Sequence, residues 1–201
     1  NNKAELDAAH VPQWFIDSCL KIGYLFPRAH AVAYVMMAFR IAWFKVYQPL
    51  AYYAAYFTIR AEGSFNAPVI LKGLESQKAE LARIAALEHS TAVEKGNATV
   101  IEVAAEMYLR GMEFLPIDLD RSDASEFKMV DGKLLPPFNC IPALGDAVAK
   151  EIVRARDEHL FTSKEDLKKR GKVSQSIIDT MDSMGILKNM PDEEQISLFS
   201  F

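Results

Sequence analysis

A cation, an imidazole and a phenol lie close together near the N-terminus, and this set could do chemistry. Pro27 favours the first turn of a helix, so Arg28, His30 and Tyr34 should project from one helix end. His30 and Tyr34 are four residues apart and therefore share a helix face. Such a set could contact a triphosphate and stack on a base. The alternative is that His30 is a structural residue among the aromatic side chains around it.

A second candidate is the segment Ile141–Ile152, which contains an Ile-Pro-Ala-Leu-Gly sequence before a helical pattern. It resembles a helix-hairpin-helix motif, in which a tight apolar turn with glycine precedes a helix. The first N–H groups of that helix are unpaired and its dipole is positive, so a DNA phosphate can bind without a charged side chain. An ordinary helix–helix loop is the alternative. The residues predicted to bind DNA here are Leu144, Gly145, Asp146 and Ala147.

One residue of this first hairpin departs from the motif. Ala143 stands where the first glycine is usual, and alanine resists a positive φ. Either the turn is less open to phosphate than in other hairpins, or the position does not need that conformation.

A weaker second copy of the motif is predicted at Arg170–Ile178, where Ser174 is a suitable N-cap within a basic cluster. Two hairpins would bind two phosphate tracks of a duplex and read no bases, so binding would depend on salt and not on sequence. The alternative is that the basic cluster is a solvated surface. The residues predicted to bind DNA here are Lys169, Arg170, Gly171, Lys172 and Ser174.

The last residues of the chain form a different kind of candidate site. An acidic run, Pro191–Glu194, precedes Gln195-Ile196-Ser197-Leu198-Phe199, which resembles the pentapeptide with which bacterial replication proteins bind the sliding clamp. Leu198 and Phe199 would fill an apolar pocket, and the Gln195 amide would donate and accept hydrogen bonds at its rim. A chance match of five residues is the alternative.

Helices must position the N-terminal candidates. Pro12 predicts a helix start near Val11 and Gly23 its end, and a long apolar helix is expected from about Pro27 to Tyr47. Gln48-Pro49 should interrupt this helix, and another should run from about Leu50 to Arg60.

The middle of the chain mixes helical patterns with one strand signal. Helical periodicity covers Asn66–Leu87 and Thr99–Arg110, with a turn or loop expected at Glu94–Asn97. Asp131-Gly132 predicts a hairpin within Ser125–Pro136, and a third strand is expected near Ile117–Leu119. The fold class is therefore mainly α, with a small β element (α+β overall).

Composition limits the function classes. The 201 residues carry a net charge of −4, so a nucleic-acid partner must be argued from local basic surfaces. The two cysteines, Cys19 and Cys140, have no zinc-type spacing and fit a reducing compartment, so we expect a cytoplasmic protein. The uncharged stretches argue against a membrane span, and we expect no membrane partner.

The order of motifs along the whole chain resembles one family, the bacterial replicative DNA polymerases of the C family. The stretches Phe26–Tyr34, Met37–Val46 and Pro49–Phe57 look like the end of the polymerase fingers. The resemblance is closest to the C-terminal part of the PolC type of DNA polymerase III α subunit. It continues through Leu119–Ser122, Pro136–Asn139, Ser163–Leu167, Arg170–Lys172 and the terminal Gln-x-Ser-Leu-Phe.

This resemblance implies four functional segments and their partners. Residues 1–62 would be the C-terminal part of the fingers, 63–137 a connector, 138–187 a tandem helix-hairpin-helix domain and 188–201 a flexible clamp-binding tail. The partners would be primer–template duplex DNA, the incoming dNTP, the β sliding clamp and the N-terminal remainder of the polymerase, since the chain opens as if within a helix. The residues expected to face the nascent base pair are Phe26, Arg28, His30 and Tyr34.

The resemblance also implies where catalysis takes place. Polymerases hold metal ions with closely spaced aspartates, and in this family these lie in a palm N-terminal to the fingers. Asp118 and Asp120 have similar spacing, but their position after the fingers predicts a structural role. We therefore expect no catalytic residue, no metal site and no bound cofactor in these 201 residues, with Mg²⁺ in the palm of the parent nucleotidyltransferase. The alternative function is a free-standing helix-hairpin-helix DNA-binding or clamp-adaptor protein without catalysis.

Overall fold

The computed structural model describes residues 3–21, 27–60 and 63–193, and helices dominate it, as predicted. By its internal contacts the chain divides into two units, Asn1–Trp43 and Phe44–Phe201. The boundaries predicted after residues 62, 137 and 187 concern function and stay predictions.

Two of the described helices that begin in the first unit, α2 and α3, start directly after a proline. Helix α1 is Lys3–Ala8, α2 is Gln13–Lys21 and α3 is Arg28–Tyr47, which extends into the second unit. The Pro12 carbonyl accepts hydrogen bonds from the backbone N–H groups of Phe15 and Ile16 in the first turn of α2. The prediction of a long helix ending before Pro49 is confirmed, whereas the predicted end of α2 at Gly23 lies outside the described residues.

Helix α3 presents apolar side chains to its surroundings along its whole length. It contains no buried residue among the described side chains, and its exposed residues include Tyr34, Phe39 and Trp43. By length and composition alone it could also cross a membrane, which the sequence had argued against. One such helix is weak evidence for a membrane span, because helices of soluble proteins meet the same criterion.

The second unit is built around an aromatic cluster. Helix α4 is Pro49–Arg60, which confirms the predicted helix from about Leu50 to Arg60, and it buries Tyr53, Ala54 and Phe57. The Phe57 ring lies 5.2 Å from that of Phe114 and 5.5 Å from that of Phe127, measured between centroids. These spacings are those of favourable aromatic pairs, so the cluster fixes α4 against the middle of the chain.

Three helices follow, and they differ from the predicted patterns in two places. Helix α5 is Ala67–Ile70, α6 is Leu74–Ala85 and α7 is Ala92–Leu109. The periodic stretch Asn66–Leu87 is therefore divided, at Gly73, whose φ of 96° is incompatible with a continuous helix.

The turn predicted at Glu94–Asn97 is wrong, because these residues form the first turns of α7. Thr91 and Glu94 make a capping box: the Glu94 N–H donates to the Thr91 hydroxyl, and the Thr91 N–H donates to the Glu94 carboxylate at 2.9 Å. Gly96 permits the helix to approach Ser64, since a Cβ at this position would lie 3.1 Å from the Ser64 Oγ.

The predicted hairpin is confirmed, and the predicted third strand is wrong. Strands β1, Lys128–Val130, and β2, Lys133–Leu135, pair antiparallel around Asp131 and Gly132, which have φ of 52° and 76°. Within the described residues, Ile117–Leu119 forms no strand. The chain instead pairs with β2 earlier, where Leu115 N–H donates to Leu134 O, and Pro116 then lacks the N–H needed to continue.

The last three helices pack into the same apolar core as the rest of the second unit. A 3₁₀ turn, Phe138–Cys140, leads into α8, Asp146–Glu158, followed by α9, Lys164–Arg170, and α10, Gln175–Ser183. The core joins buried residues of these helices, such as Ile152, Leu167 and Met181, with Phe57 of α4. The hairpin turns are therefore positioned by the whole second unit.

Candidate DNA-binding interface

The first hairpin turn has the strained backbone that its sequence left in doubt. Ala143 adopts a φ of 65°, so this position does require the left-handed conformation. The apolar residues on either side of the strained segment, Ile141 and Leu144, are buried. Gly145 is the N-cap of α8 with φ −80° and ψ 162°, and it has no side chain with which to cap the helix. The N-cap of α8 is therefore formed by backbone atoms alone.

The second hairpin turn repeats this backbone with different side chains. Lys172 has a φ of 52°, Val173 is buried, and Ser174 is the N-cap of α10 with φ −72° and ψ 157°. The Ser174 hydroxyl accepts a hydrogen bond from the Ile177 N–H at 3.4 Å, so the predicted cap is confirmed. Each turn thus places a left-handed residue, a buried apolar residue and an extended N-cap in consecutive positions.

Gly171 has a packing role in the second turn. Its φ is −78°, which any residue can adopt. A Cβ at this position would lie 2.7 Å from the Leu167 carbonyl oxygen, closer than real Cβ contacts occur. Glycine is therefore needed because the turn passes close to the end of α9.

The cations of the second hairpin differ in their surroundings. Lys169 and Lys172 have side chains that are 72% exposed. Lys169 pairs at 2.8 Å with Glu165, which is 46% exposed, and Lys172 pairs at 2.8 Å with Glu151, which is 18% exposed. Both ammonium groups lie at the surface, where an ion pair contributes little and can be exchanged for another anion. Both lysines are therefore available to a phosphate.

Arg170, by contrast, is part of the packing between the hairpins. Its side chain is only 20% exposed and lies 4.9 Å from the centre of the Phe161 ring. The guanidinium donates hydrogen bonds to the Ala155 carbonyl, to the His159 carbonyl at 2.8 Å and to Asp166 at 3.0 Å. These contacts join α9 to the end of α8, and the predicted role of Arg170 in DNA binding stays a prediction.

Two carboxylates lie beside the turns. Glu151 accepts hydrogen bonds from Arg154 and Lys172, which lower the pKa of its carboxyl to about 2. Asp146, in the first turn of α8, accepts a hydrogen bond of 3.0 Å from the Asn139 amide. A negative charge at a helix N-terminus is favourable there, but it also competes with a phosphate for the same N–H groups.

Comparison with known proteins supports the motif and then decides the family. A family model described as "Helix-hairpin-helix motif" matches residues 111–196. The chain is 50% identical over 197 residues to the DNA polymerase III PolC-type of Thermotoga maritima, which is 98% of this chain. The corresponding proteins of Pediococcus pentosaceus and Bacillus subtilis are 52% and 50% identical over 97% of this chain. The chain belongs to the PolC-type DNA polymerase III family.

The predicted resemblance to the C-terminal part of a PolC-type polymerase is thereby confirmed. The chain spans about 14% of the length of these curated relatives. Activities, substrates and partners of the complete PolC-type polymerase are consequently matters of proposal for these 201 residues.

The residues predicted to face the nucleotide in this PolC-related chain lie at the start of α3. Arg28 is the first residue of the helix, and the His30 and Tyr34 rings lie 4.2 Å apart between centroids at an angle of 60°. The pair therefore shares a helix face as expected, and Tyr34 is exposed. Phe26 and the clamp-motif residues Gln195, Ile196, Leu198 and Phe199 lie outside the described residues.

Asp118, the first of the two closely spaced aspartates, has a local structural role. The Asp118 carboxylate accepts hydrogen bonds from the N–H groups of Asp120 and Arg121, at 2.9 and 3.1 Å, and so fixes the turn that follows Pro116. Within residues 3–21, 27–60 and 63–193, no cluster of three or more His, Cys, Asp or Glu side chains could hold a metal ion.

Two features of the interface were not predicted from the sequence. The left-handed Lys172 could have been found by aligning the two turns, because it precedes Val173 and Ser174 as Ala143 precedes Leu144 and Gly145. The ion pair between Lys172 and Glu151 had no local signal, because tertiary packing alone brings these distant positions together.

Proposed function

We propose that this chain binds the primer–template duplex within a PolC-type DNA polymerase, through phosphate contacts at both hairpin turns. The first turn would bind phosphate with the N–H groups of Gly145, Asp146 and Ala147 at the start of α8, because the Leu144 N–H already donates to the Ile141 carbonyl at 3.1 Å. The second turn would bind it with Ser174 and the exposed Lys169 and Lys172. Binding of this kind neutralises the DNA backbone and reads no base edges, so it is independent of sequence.

The observation that supports this proposal most strongly is the repeated backbone of the two turns. Two left-handed residues, Ala143 and Lys172, adopt a conformation that costs about 1–2 kcal/mol each and that neither side chain favours. Strain of this kind is retained where the local geometry serves a function. The same geometry at two helix starts, in a chain of the PolC-type family, favours two phosphate sites.

The test is the salt dependence of duplex binding. Fluorescence anisotropy should give equal affinities for two duplexes of unrelated sequence, and log K should fall linearly with log salt concentration. Lys169→Gln and Lys172→Gln should each reduce the magnitude of that slope by about 0.9, because each removes one phosphate contact.

Lys78→Gln is a matched control, because Lys78 is also an exposed helix-surface lysine and pairs with Glu75 at 3.0 Å on its own helix. Its slope should equal that of the unchanged chain. If all three variants had equal slopes, Lys169 and Lys172 would contact no phosphate and would be ordinary solvated surface residues.

The finer parts of the proposal concern the nucleotide. Phe26, Arg28, His30 and Tyr34 would contact the nascent base pair and the incoming dNTP as part of the fingers. The start of α3 supports this, because Arg28 begins the helix and His30 and Tyr34, whose rings are paired, follow it two and six residues later. In the complete polymerase, Tyr34→Ala should raise the KM for dNTP, whereas Tyr47→Ala, at the other end of α3, should not. If both substitutions changed the KM for dNTP equally, the assignment of Tyr34 to the nucleotide site would be wrong.

The tail would bind the β sliding clamp through Gln195, Ile196, Leu198 and Phe199. Replacing Leu198 and Phe199 with alanine should abolish clamp binding in surface plasmon resonance and leave duplex affinity unchanged. Loss of duplex affinity instead would mean that the two functions are wrongly assigned. The parent protein would be a cytoplasmic nucleotidyltransferase with Mg²⁺ in its palm, and the 201 residues alone should not extend a primer.

The apolar surface of α3 would pack against the remainder of the polymerase. Joined to the preceding PolC-type sequence, α3 should gain protection from hydrogen exchange, because its exposed side chains would become buried. Partition of the 201-residue chain into neutral lipid vesicles, without protection in the longer protein, would favour a membrane role instead.

A further inference from the structure

A cleft of about 490 Å³ opens beside the first hairpin turn. The turn, from Ile141 to Gly145, forms one part of its lining, and residues 63–66 with Asn97 of α7 form another. The cleft is therefore continuous with the surface at which the proposed phosphate contact of α8 lies. Its size is within the range of protein sites that hold small ligands or parts of larger ones.

The polar side chains of the cleft are small and neutral. None of the described residues that line it carries a charge. Its hydrogen-bonding side chains are half-buried amides and hydroxyls, namely Thr58, Ser64, Asn66, Asn97, Ser125 and Asn139.

Two of these side chains have structural partners. The Thr58 hydroxyl accepts a hydrogen bond from the Phe127 N–H, and the Asn139 amide donates to Asp146. Asn66 stands at the N-cap of α5 without capping that helix. The polar surface therefore exceeds what the described fold uses.

The neutral lining indicates what kind of ligand fits. A free nucleotide brings two to four negative charges and needs countercharge, which this cleft does not supply. DNA is a polyanion that the hairpin turns and their lysines would already hold. In the cleft its backbone would therefore need only hydrogen-bond partners. The cleft therefore fits one part of an extended DNA strand better than a free nucleotide.

The floor of the cleft distinguishes between base and backbone. Phe57, Phe65 and Phe127 line it, but they are buried and pack on one another, with centroids 5.0 to 5.6 Å apart. Their faces are not open for a base to stack on, and stacking is the main source of affinity for an unpaired base. The sugar–phosphate backbone is therefore the better match.

We infer that this cleft, which we call the flanking cleft, binds the sugar–phosphate backbone of the strand held at the first hairpin turn. Asn66, Asn97 and Ser125 donate hydrogen bonds to backbone oxygens next to the phosphate at α8. This inference rests on the proposed duplex binding and adds a contact outside the helix-hairpin-helix motif.

The test uses the 201-residue chain, a DNA duplex and the same anisotropy titration. Asn66→Lys should strengthen binding at low salt and steepen the salt slope by about 0.9, because the new cation meets a phosphate. Asn189→Lys is the matched control: Asn189 lines a different cleft, with Pro116–Asp120, and its substitution should leave the slope unchanged. Ser125→Lys replaces Asn66→Lys if circular dichroism shows that the latter does not fold.

Alanine substitutions give an independent measurement. Asn66→Ala, Asn97→Ala and Ser125→Ala should each weaken binding about 2- to 10-fold at every salt concentration, with no change of slope, because a neutral hydrogen bond releases no counterion. Equal slopes for Asn66→Lys and Asn189→Lys, in a chain that binds duplex normally, would overturn the inference alone. Absence of salt-dependent binding in the unchanged chain would overturn the proposed function and this inference together.

Discussion

The two hairpin turns share one backbone and differ in almost every side chain. Ala143 and Lys172 are both left-handed, Leu144 and Val173 are both buried, and the two N-caps differ by only 8° in φ (−80° against −72°). The first turn has a glycine cap beside a carboxylate, whereas the second has a serine cap beside exposed lysines.

This difference shows which features the geometry depends on. A buried apolar residue just before the N-cap fixes the turn in both hairpins, and the residue before it is forced into the left-handed region whatever its type. The side chains around the helix start are then free to vary, so one turn can bind phosphate with N–H groups and the other with lysines.

The largest effect should come from removing the buried anchor. Leu144→Ala should lower the free energy of unfolding by about 2–5 kcal/mol, and Val173→Ala by roughly half as much, because valine loses fewer buried carbons. Urea denaturation measures both. Leu109→Ala, at an exposed leucine of α7, should change stability by no more than about 0.5 kcal/mol. If the Leu144→Ala variant were as stable as the Leu109→Ala variant, a buried apolar residue before the N-cap would not be what fixes the turn.

The caps should have the next effect. Ser174→Ala should lower the free energy of unfolding by about 1 kcal/mol, because the Ile177 N–H loses its hydrogen-bond partner. Ser176→Ala, at an exposed serine in the same first turn, is the control and should be close to neutral. In the first hairpin Gly145→Ser should gain a few tenths of a kcal/mol, since a Cβ there meets nothing within 4 Å. A loss of stability in Gly145→Ser would show that the two caps are not equivalent.

Relief of backbone strain should be smaller. Ala143→Gly should stabilise the chain by about 0.5–1 kcal/mol, the left-handed cost of alanine less the extra entropy of unfolded glycine. Its salt slope for duplex binding should not change, whereas Lys172→Gly should lower that slope by about 0.9. Thermal unfolding and anisotropy separate the two contributions. Destabilisation by Ala143→Gly would mean that the methyl group makes a contact that outweighs the strain.

The pH dependence should be the smallest effect. Arg154 and Lys172 lower the pKa of Glu151 to about 2 in the folded chain, below its value in the unfolded chain. The stability that Glu151 contributes is therefore complete above about pH 5 and is lost as the pH falls towards about 2. Glu151→Gln should flatten the decline of unfolding free energy over this interval. An unchanged decline in the Glu151→Gln variant would contradict this assignment.

The predictions that succeeded rest on local chemistry. Pro27 and Pro49 fix the limits of α3 and the start of α4, Asp131-Gly132 fixes the hairpin, and Ser174 fixes the start of α10. In each case a residue restricts its own φ or caps its own helix, so neighbours in sequence contain the information.

The predictions that failed have two causes: a local signal that was overlooked, the capping box of Thr91 and Glu94, and contacts with distant residues. Glu94–Asn97 has turn-forming composition, but the capping box with Thr91 and the close packing of Gly96 on Ser64 make it helical. The third strand was expected at Ile117–Leu119, whereas β2 pairs with the residues just before Pro116.

By itself, the sequence determined the family, the limits of α3, the start of α4 and the two hairpin turns, because these follow from residue types in a fixed order. Only the tertiary structure decided that Ala143 is left-handed, that Arg170 lies between the hairpins and that Lys172 meets Glu151. The physical reason is that these features depend on the packing of α8, α9 and α10 on one core, which brings together side chains that are far apart in the chain.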